Sequence, residues 1–156
     1  MNKTVEEYIE TIYVIEKRDG RARTGVIALE MGIKDSSVTE MMQKLEERGF
    51  VDYEPYHGVN LTDTGKDIAR ELMKRHKVIA DFLEIIGVKP ELAEIDACQI
   101  EHHVSSKTMD RLEKFVEFIN EAPKDPKWIK HFEHYLETGE RVECDLYGNE
   151  SNNEQD

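Results

Sequence analysis

Apolar residues recur at helical spacing through most of this chain, with one interruption of a different kind. From Thr4 to Lys17, the residues Tyr8, Ile9, Ile12, Tyr13 and Ile15 form a largely i, i+3, i+4 stripe, and Thr4 is placed to cap it. Glu6, Glu7 and Glu10 fall in the early turns, where carboxylates favour the positive end of a helix; Glu7 and Glu10 are also i, i+3 neighbours at a ligand spacing. Arg18-Asp19-Gly20-Arg21 breaks the pattern. Thr24 then caps a short helix through Val26, Ile27, Ala28, Leu29 and Met31, which Gly32 ends. After Ile33-Lys34-Asp35 another helix starts, with Ser36 or Ser37 as its cap and Ser37 to Glu40 as a capping box. Val38, Met41, Met42 and Leu45 share its core face, and Ser36, Ser37, Thr39, Glu40, Gln43 and Lys44 lie opposite. Gly49 stops it.

The interruption comes next. Val51-Asp52-Tyr53-Glu54-Pro55 and Val59-Asn60-Leu61 flank Tyr56-His57-Gly58, which predicts a small β-hairpin. Helix, two short helices joined by a tight turn, then a hairpin: this order is that of a winged helix-turn-helix. A long amphipathic helix from Asp63 to Ile86 follows, with His76 between Arg75 and Lys77, and Gly87 ends it. Pro90 opens a helix running to about Val104. Ser105 or Ser106 caps the next, through Ile119; its stripe of Met109, Leu112, Phe115, Val116 and Ile119 suits a homodimer seam or packing within the chain equally well. Pro123 and Pro126 precede a last helix, Trp128 to Glu137, whose His131 and His134 read as structural or exposed. Residues 139–156 form a polar, acidic tail expected to be disordered, in which Cys144 has no recognisable partner spacing.

Composition narrows the reading without overturning it. The length of 156 residues suits one domain or two small ones sharing an interface. There is no apolar run long enough for a membrane span and no apolar signal region near the N-terminus, and two cysteines are too few for a disulfide framework. A cytoplasmic protein is expected. The formal net charge of -13 speaks against nucleic acid only until it is divided. Residues 1–80 hold 13 basic against 15 acidic residues, whereas residues 81–156 hold 8 against 19. The acidity belongs to the second half, and the first can still present a basic surface to DNA.

Candidate chemistry concentrates in Asp96-Ala97-Cys98-Gln99-Ile100-Glu101-His102-His103. Cys98, Glu101 and His102 stand at i, i+3 and i+4, on one face of a helix, and a thiol, a carboxylate and an imidazole suit half of a divalent-metal site. The same triplet also suits a small core cysteine beside a solvated helix face, and spacing alone leaves both open.

Four blocks resemble a known family in order and spacing: Glu7-Tyr8-Ile9-Glu10-Thr11-Ile12-Tyr13, Ser36-Ser37-Val38-Thr39, Arg75-His76, and Ile95 to His103. Over about residues 4–137 the chain resembles the metal-dependent transcriptional repressors that include the diphtheria toxin repressor and the manganese transport regulator. The resemblance implies a mainly α fold, with an N-terminal winged helix-turn-helix DNA-binding domain (1–70) and a helical metal-binding and dimerisation domain (71–138). It looks like the short architecture without an SH3-like third domain. It also implies metal ligands at Glu7, Glu10, His76, Cys98, Glu101 and His102. Glu7 stands where the manganese branch has an aspartate and the iron branch a methionine; Cys98 stands where the manganese branch has a glutamate and the iron branch a cysteine. The site is therefore a hybrid, with Ala80 where the iron branch carries a second-site carboxylate.

The expectation is a homodimeric repressor of metal-uptake genes, not an enzyme. It would bind a palindromic duplex operator when Mn(II) or Fe(II) is present, other divalent transition metals substituting in vitro. Ser36, Ser37, Thr39, Gln43 and Lys44 are the expected DNA-reading residues, with Gln43 suited to adenine and Tyr56 and His57 of the wing to the backbone. Two other readings compete: a winged-helix regulator sensing a non-metal ligand, and a metalloenzyme with Glu101 as general base.

Overall fold

Helix α1 (Lys3–Asp19) buries Val5, Tyr8, Ile9, Ile12 and Ile15 along one side, the stripe its sequence carries. Its cap is Asn2, whose side chain accepts from the Val5 amide at 3.0 Å, so Thr4 lies inside the helix rather than at its head. The computed structural model describes residues 2–122 and 126–142 of the chain. After α1 come α2 (Thr24–Met31), α3 (Asp35–Glu47), strands β1 (Val51–Glu54) and β2 (Gly58–Leu61), then α4 (Asp63–Ile85), α5 (Pro90–Ile100), α6 (Ser106–Asn120) and α7 (Lys127–Thr138). No helix among the described residues is long and apolar enough to cross a membrane.

Three expected caps differ. Helix α2 starts at Thr24 itself, behind Arg23, and α3 starts at Asp35, behind Lys34; neither Arg23 nor Lys34 makes a side-chain capping bond. Ser36 and Ser37 therefore lie within the first turn of α3. Glu40, free of a capping role, pairs with Lys44 at 2.6 Å one turn on.

The two strands pair antiparallel, with Val51 opposite Leu61 and Glu54 opposite Gly58. Ala22 adds a short bridge to Val59, its amide donating to the Val59 carbonyl and its carbonyl accepting from the Val59 amide. Gly58 has φ +112, and a Cβ there would stand 2.5 Å from the Ala22 carbonyl oxygen, so the wing can close on Ala22 only through glycine. Gly65 does the same for α4: a Cβ would meet the Phe50 carbonyl at 2.1 Å. The wing is thus fastened to the helices at both ends.

Two hydrophobic clusters share α4. The first joins α1, Ile27 and Ala28 of α2, Val38, Met42 and Leu45 of α3, the wing residues Val51, Val59 and Leu61, and Ala69. The second joins Val78, Ile79 and Ala80 of α4 with Ala97, Met109 and Val116, while Phe82 and Phe115 meet edge to face at 5.8 Å between ring centroids. Met109, Leu112 and Val116 therefore turn inward, which settles that part of the α6 stripe as packing within the chain. Apolar residues that stay exposed in this region include Leu92, Ile95 and Ile100 of α5 and Phe118 of α6. Ala80 is buried in the second cluster.

By internal contacts the chain forms two compact units, residues 1–116 and 117–156. Within the second, Trp128, His131, Phe132, Tyr135, Arg141 and Val142 line a cavity on α7 and the segment after it. The expected disordered tail lies, from residue 143 onward and with Cys144 in it, outside the described residues.

Candidate metal centre

The end of α5 determines where the candidate chemistry sits. The helix runs to Ile100; Glu101, its C-cap, keeps helical dihedrals (φ -54, ψ -36) and donates its amide to the Ala97 carbonyl, and His102 follows in the turn, so Cys98, Glu101 and His102 line one cavity as their spacing suggests. Arg75 of α4 holds this turn: its Nη2 donates to the carbonyl oxygens of Glu101 at 2.6 Å and Val104 at 2.5 Å. Both carbonyls lie just past the end of α5, outside its ladder of helical hydrogen bonds. The turn delivers the Glu101 and His102 side chains, 2% and 1% exposed, against the polar edge of α1.

There they meet Glu10. Glu10, Glu101 and His102 each offer a ligand atom, all lying within 4.8 Å of one another. The Nε2 of His102 is 3.6 Å from Oε1 of Glu101 and 3.7 Å from Oε2 of Glu10. His76 approaches from α4, its Nδ1 3.2 Å from Oε2 of Glu101 but not aligned as a hydrogen bond. Glu10 Oε1, Glu101 Oε2 and His102 Nε2 are all buried with no hydrogen-bond partner. Buried polar atoms are normally paired, because leaving one unmade costs about 1–3 kcal/mol. Here three side chains from two distant segments converge, each with one such unpartnered atom, a donor set that fits a divalent cation.

All six expected ligands, Glu7, Glu10, His76, Cys98, Glu101 and His102, line one cavity of about 530 Å³. They do not contribute alike. Cys98 is exposed, and Glu7, 40% exposed at its side chain, lies 3.7 Å from Lys3; both fall outside the tight triplet.

The electrostatics are those of crowded anions. Burial, and then the charge of Glu101, raises the Glu10 carboxyl to about 7. Burial likewise raises Glu101, against the opposing pull of His76 and His102. Desolvation, then Glu101 and Glu10, pushes the Cys98 thiol up. Burial pulls His76 down, but its hydrogen bond to Glu94 and the charges of Glu101 and Glu94 outweigh that and leave it raised. Without a cation, Glu10, Glu101, Cys98 and His76 are all pushed toward their protonated forms.

Two carboxylates absent from the expected ligand set touch the histidines. Glu6 Oε2 lies 2.8 Å from Nδ1 of His102, and Glu94 Oε2 lies 2.7 Å from Nε2 of His76. Each stands four residues before an expected ligand, Glu6 before Glu10 and Glu94 before Cys98. That i, i+4 spacing is a signal the sequence does carry.

The expected DNA-reading residues occupy the open side of α3 and the wing. Ser36, Ser37, Gln43 and Lys44 are exposed, and Thr39, half-buried, donates its hydroxyl to the Asp35 carbonyl at 3.1 Å. Tyr56, fully exposed, takes a left-handed backbone with φ 67 at the wing tip, beside exposed His57.

Comparison with known proteins bears on both regions. Residues 1–59 match the N-terminal DNA binding domain of the iron dependent repressors, and residues 62–130 match their metal binding and dimerisation domain. The HTH-type transcriptional regulator MntR of Oceanobacillus iheyensis is 40% identical over 127 residues, 81% of this chain and 86% of its own length. The MntR of Bacillus subtilis is 39% identical over 127 residues, covering 81% of this chain and 89% of its own. Among solved structures, a manganese-dependent transcriptional repressor in complex with manganese superposes with a TM-score of 0.66 at 27% identity. That match takes in 78% of this chain and 55% of the solved one.

Proposed function

The chain belongs to the iron dependent repressor family, metal-responsive transcriptional repressors that bind DNA, and on that premise we propose that Mn(II) or Fe(II) at the centre of Glu7, Glu10, His76, Cys98, Glu101 and His102 switches its DNA binding on. The observation that carries this reading is the convergence of Glu10, Glu101 and His102, from α1 and the end of α5, each with a buried polar atom that has no hydrogen-bond partner. Such a bound ion supplies two positive charges among carboxylates that otherwise repel or stay protonated.

The consequence for DNA follows from what the ligands stand on. Glu10 lies on α1, whose apolar face belongs to the same core as Val38, Met42 and Leu45 of α3. Glu101 and His102 lie at the end of α5, beside the second core. Holding Glu10 to this pair fixes α1, and with it α3, against the rest of the first unit. In a homodimer two such α3 helices must meet successive major grooves about 34–36 Å apart, so fixing their orientation selects the spacing DNA accepts. Linkage makes the effect reciprocal: DNA tightens metal binding as metal tightens DNA, typically by about 1–3 kcal/mol.

The division of labour we propose places DNA recognition in residues 1–70 and metal binding and dimerisation in 71–138, in the cytoplasm, with a palindromic operator as the partner. Ser36, Ser37, Thr39, Gln43 and Lys44 face the duplex, and Tyr56 and His57 reach its backbone. Carboxylates in the set favour Mn(II); Cys98 and the imidazoles favour Fe(II) and later metals. The relatives are named as transcriptional regulators, which is the ground for reading the centre as regulatory rather than hydrolytic.

The test is selection of duplexes from a random library by the full-length protein, anaerobically, with and without Mn(II) or Fe(II). Binding of the recovered duplexes is then titrated with each ion. Strong enrichment of a two-fold symmetric site only with metal is the expected result; equal affinity with and without metal sinks the proposal.

A further inference from the structure

His102 has two ring nitrogens in different surroundings. Its Nδ1 lies 2.8 Å from the Oε2 of Glu6. Its Nε2 has no hydrogen-bond partner and is turned toward Glu10 and Glu101. An ionised carboxylate only accepts, so the proton on a neutral ring paired with it belongs on Nδ1, which leaves the lone pair on Nε2. The Glu6 and His102 side chains are only 13% and 1% exposed, so little water competes for either nitrogen.

Glu6 is also outside the centre it touches. It belongs neither to the triplet of converging ligand atoms nor to the lining of the cavity that the six expected ligands share. Lying one helical turn before Glu10 on α1, it grips the ring from one side while Glu10 faces it from the other. The pattern repeats at His76, where Glu94 takes Nε2 and leaves Nδ1 toward Glu101.

We propose that Glu6 is a positioning residue, which fixes His102 in its Nδ1–H tautomer and so presents Nε2 as the metal-binding lone pair. This rests on the metal-centre reading above. Outer partners of ligating histidines act in this way generally, setting tautomer and ring orientation and raising basicity. Its consequence is that α1 contributes twice to one histidine, through Glu6 at Nδ1 and Glu10 beside Nε2.

The experiment uses the full chain as wild type, Glu6→Gln and Glu6→Ala, with circular dichroism to check that each is folded. Nitrogen-15 NMR of the His102 ring reads the tautomer in metal-free protein, and calorimetry reads Mn(II) affinity. Wild type and Glu6→Gln, whose amide oxygen still accepts, show the Nδ1–H form; Glu6→Ala shows a mixture. Mn(II) affinity falls about 10–100-fold in Glu6→Ala and less in Glu6→Gln, the usual range for losing an outer partner. Three results overturn the inference: an Nε2–H ring in wild type, an unchanged tautomer in Glu6→Ala, or a loss in Glu6→Gln equal to that in Glu6→Ala. The last would make Glu6 a ligand in its own right. Should Glu6→Ala not fold, the wild-type tautomer and the Glu6→Gln affinity still decide. A wild-type protein that shows the Nδ1–H ring and binds no divalent ion overturns the metal-centre reading instead.

Discussion

The Nε2 of His102 stands 3.7 Å from the Oε2 of Glu10, so a turn beyond α5 and a residue of α1 face each other across a gap that no hydrogen bond closes. Both side chains are nearly buried, and Glu101 adds its carboxylate to the same space. Replacing Glu10 by glutamine removes a proposed ligand and also one of the repelling charges. Metal-free Glu10→Gln therefore melts above metal-free wild type at pH 8, by about 2–4 °C for each kcal/mol relieved. The rise in Tm that Mn(II) gives wild type is lost in the same variant. Scanning fluorimetry with and without Mn(II) reads both effects, and a variant that melts lower while keeping its Mn(II) response contradicts the assignment.

The pH dependence has a definite sign. The Glu10 carboxyl is raised to about 7, and Glu101, Cys98 and His76 are raised as well, so the metal-free fold holds protons that the unfolded chain releases. For Glu10 that contribution to stability is full below the ordinary value of 4.5 and is lost as pH rises through about 7. Metal competes with the same protons. Mn(II) affinity accordingly climbs between pH 6 and pH 8, and binding releases protons. Calorimetry in two buffers of different ionisation enthalpy counts them; an identical heat in both counts against the crowded-anion account.

Cys98 lines the cavity but remains exposed, and its thiol is raised by desolvation and by Glu101 and Glu10. A thiolate there must be formed against neighbouring negative charge, and a soft metal repays that better than Mn(II) does. Cys98→Glu replaces it with a hard carboxylate. The ranking of Mn(II) against Fe(II), Co(II) and Zn(II), measured by anaerobic competition with a chelator, moves toward Mn(II). An unchanged ranking means Cys98 takes no part in choosing the metal.

Much of this was legible in the chain because periodicity reports which side of an element is buried. The helical spacings of Tyr8, Ile9 and Ile12, and of Val38, Met42 and Leu45, give the first core directly, and the hairpin appears within a residue of its expected limits. Caps were less legible. Asn2 displaces Thr4, and Arg23 and Lys34 stand where hydroxyl caps were expected, because packing can fix a helix start without a side-chain bond. The stripe of α6 could not reveal whether it met its own chain or a second copy. Spacing also placed Cys98, Glu101 and His102 on one face, and they line one cavity; what it could not show is Arg75 of α4 holding the end of α5, a contact from a different helix. Glu6 was hidden by a sufficient local explanation, the helix dipole, and its partner is 96 residues away.

On the DNA-facing side, Gln43 and Lys44 are adjacent and both exposed, but their chemistry separates them. Gln43 has an amide whose donor and acceptor match the edge of adenine, the base we propose it reads. Lys44 has a point charge already engaged by Glu40 at 2.6 Å, with the hydrogen bond first and then the charge raising it. Gln43→Ala costs about 1–3 kcal/mol on the selected duplex and relaxes preference at one base pair. Lys44→Ala weakens every sequence alike and lowers the salt slope of binding by about 1, as loss of one phosphate contact does. Glu40→Gln provides the control, because releasing Lys44 from its partner strengthens binding to all sequences without changing the preferred one. Fluorescence anisotropy across a salt series, on the selected duplex and on a scrambled one, separates the three. If Gln43→Ala weakens both duplexes equally, its side chain contacts the backbone, and base reading must come from Ser36, Ser37 or Thr39 at the start of α3.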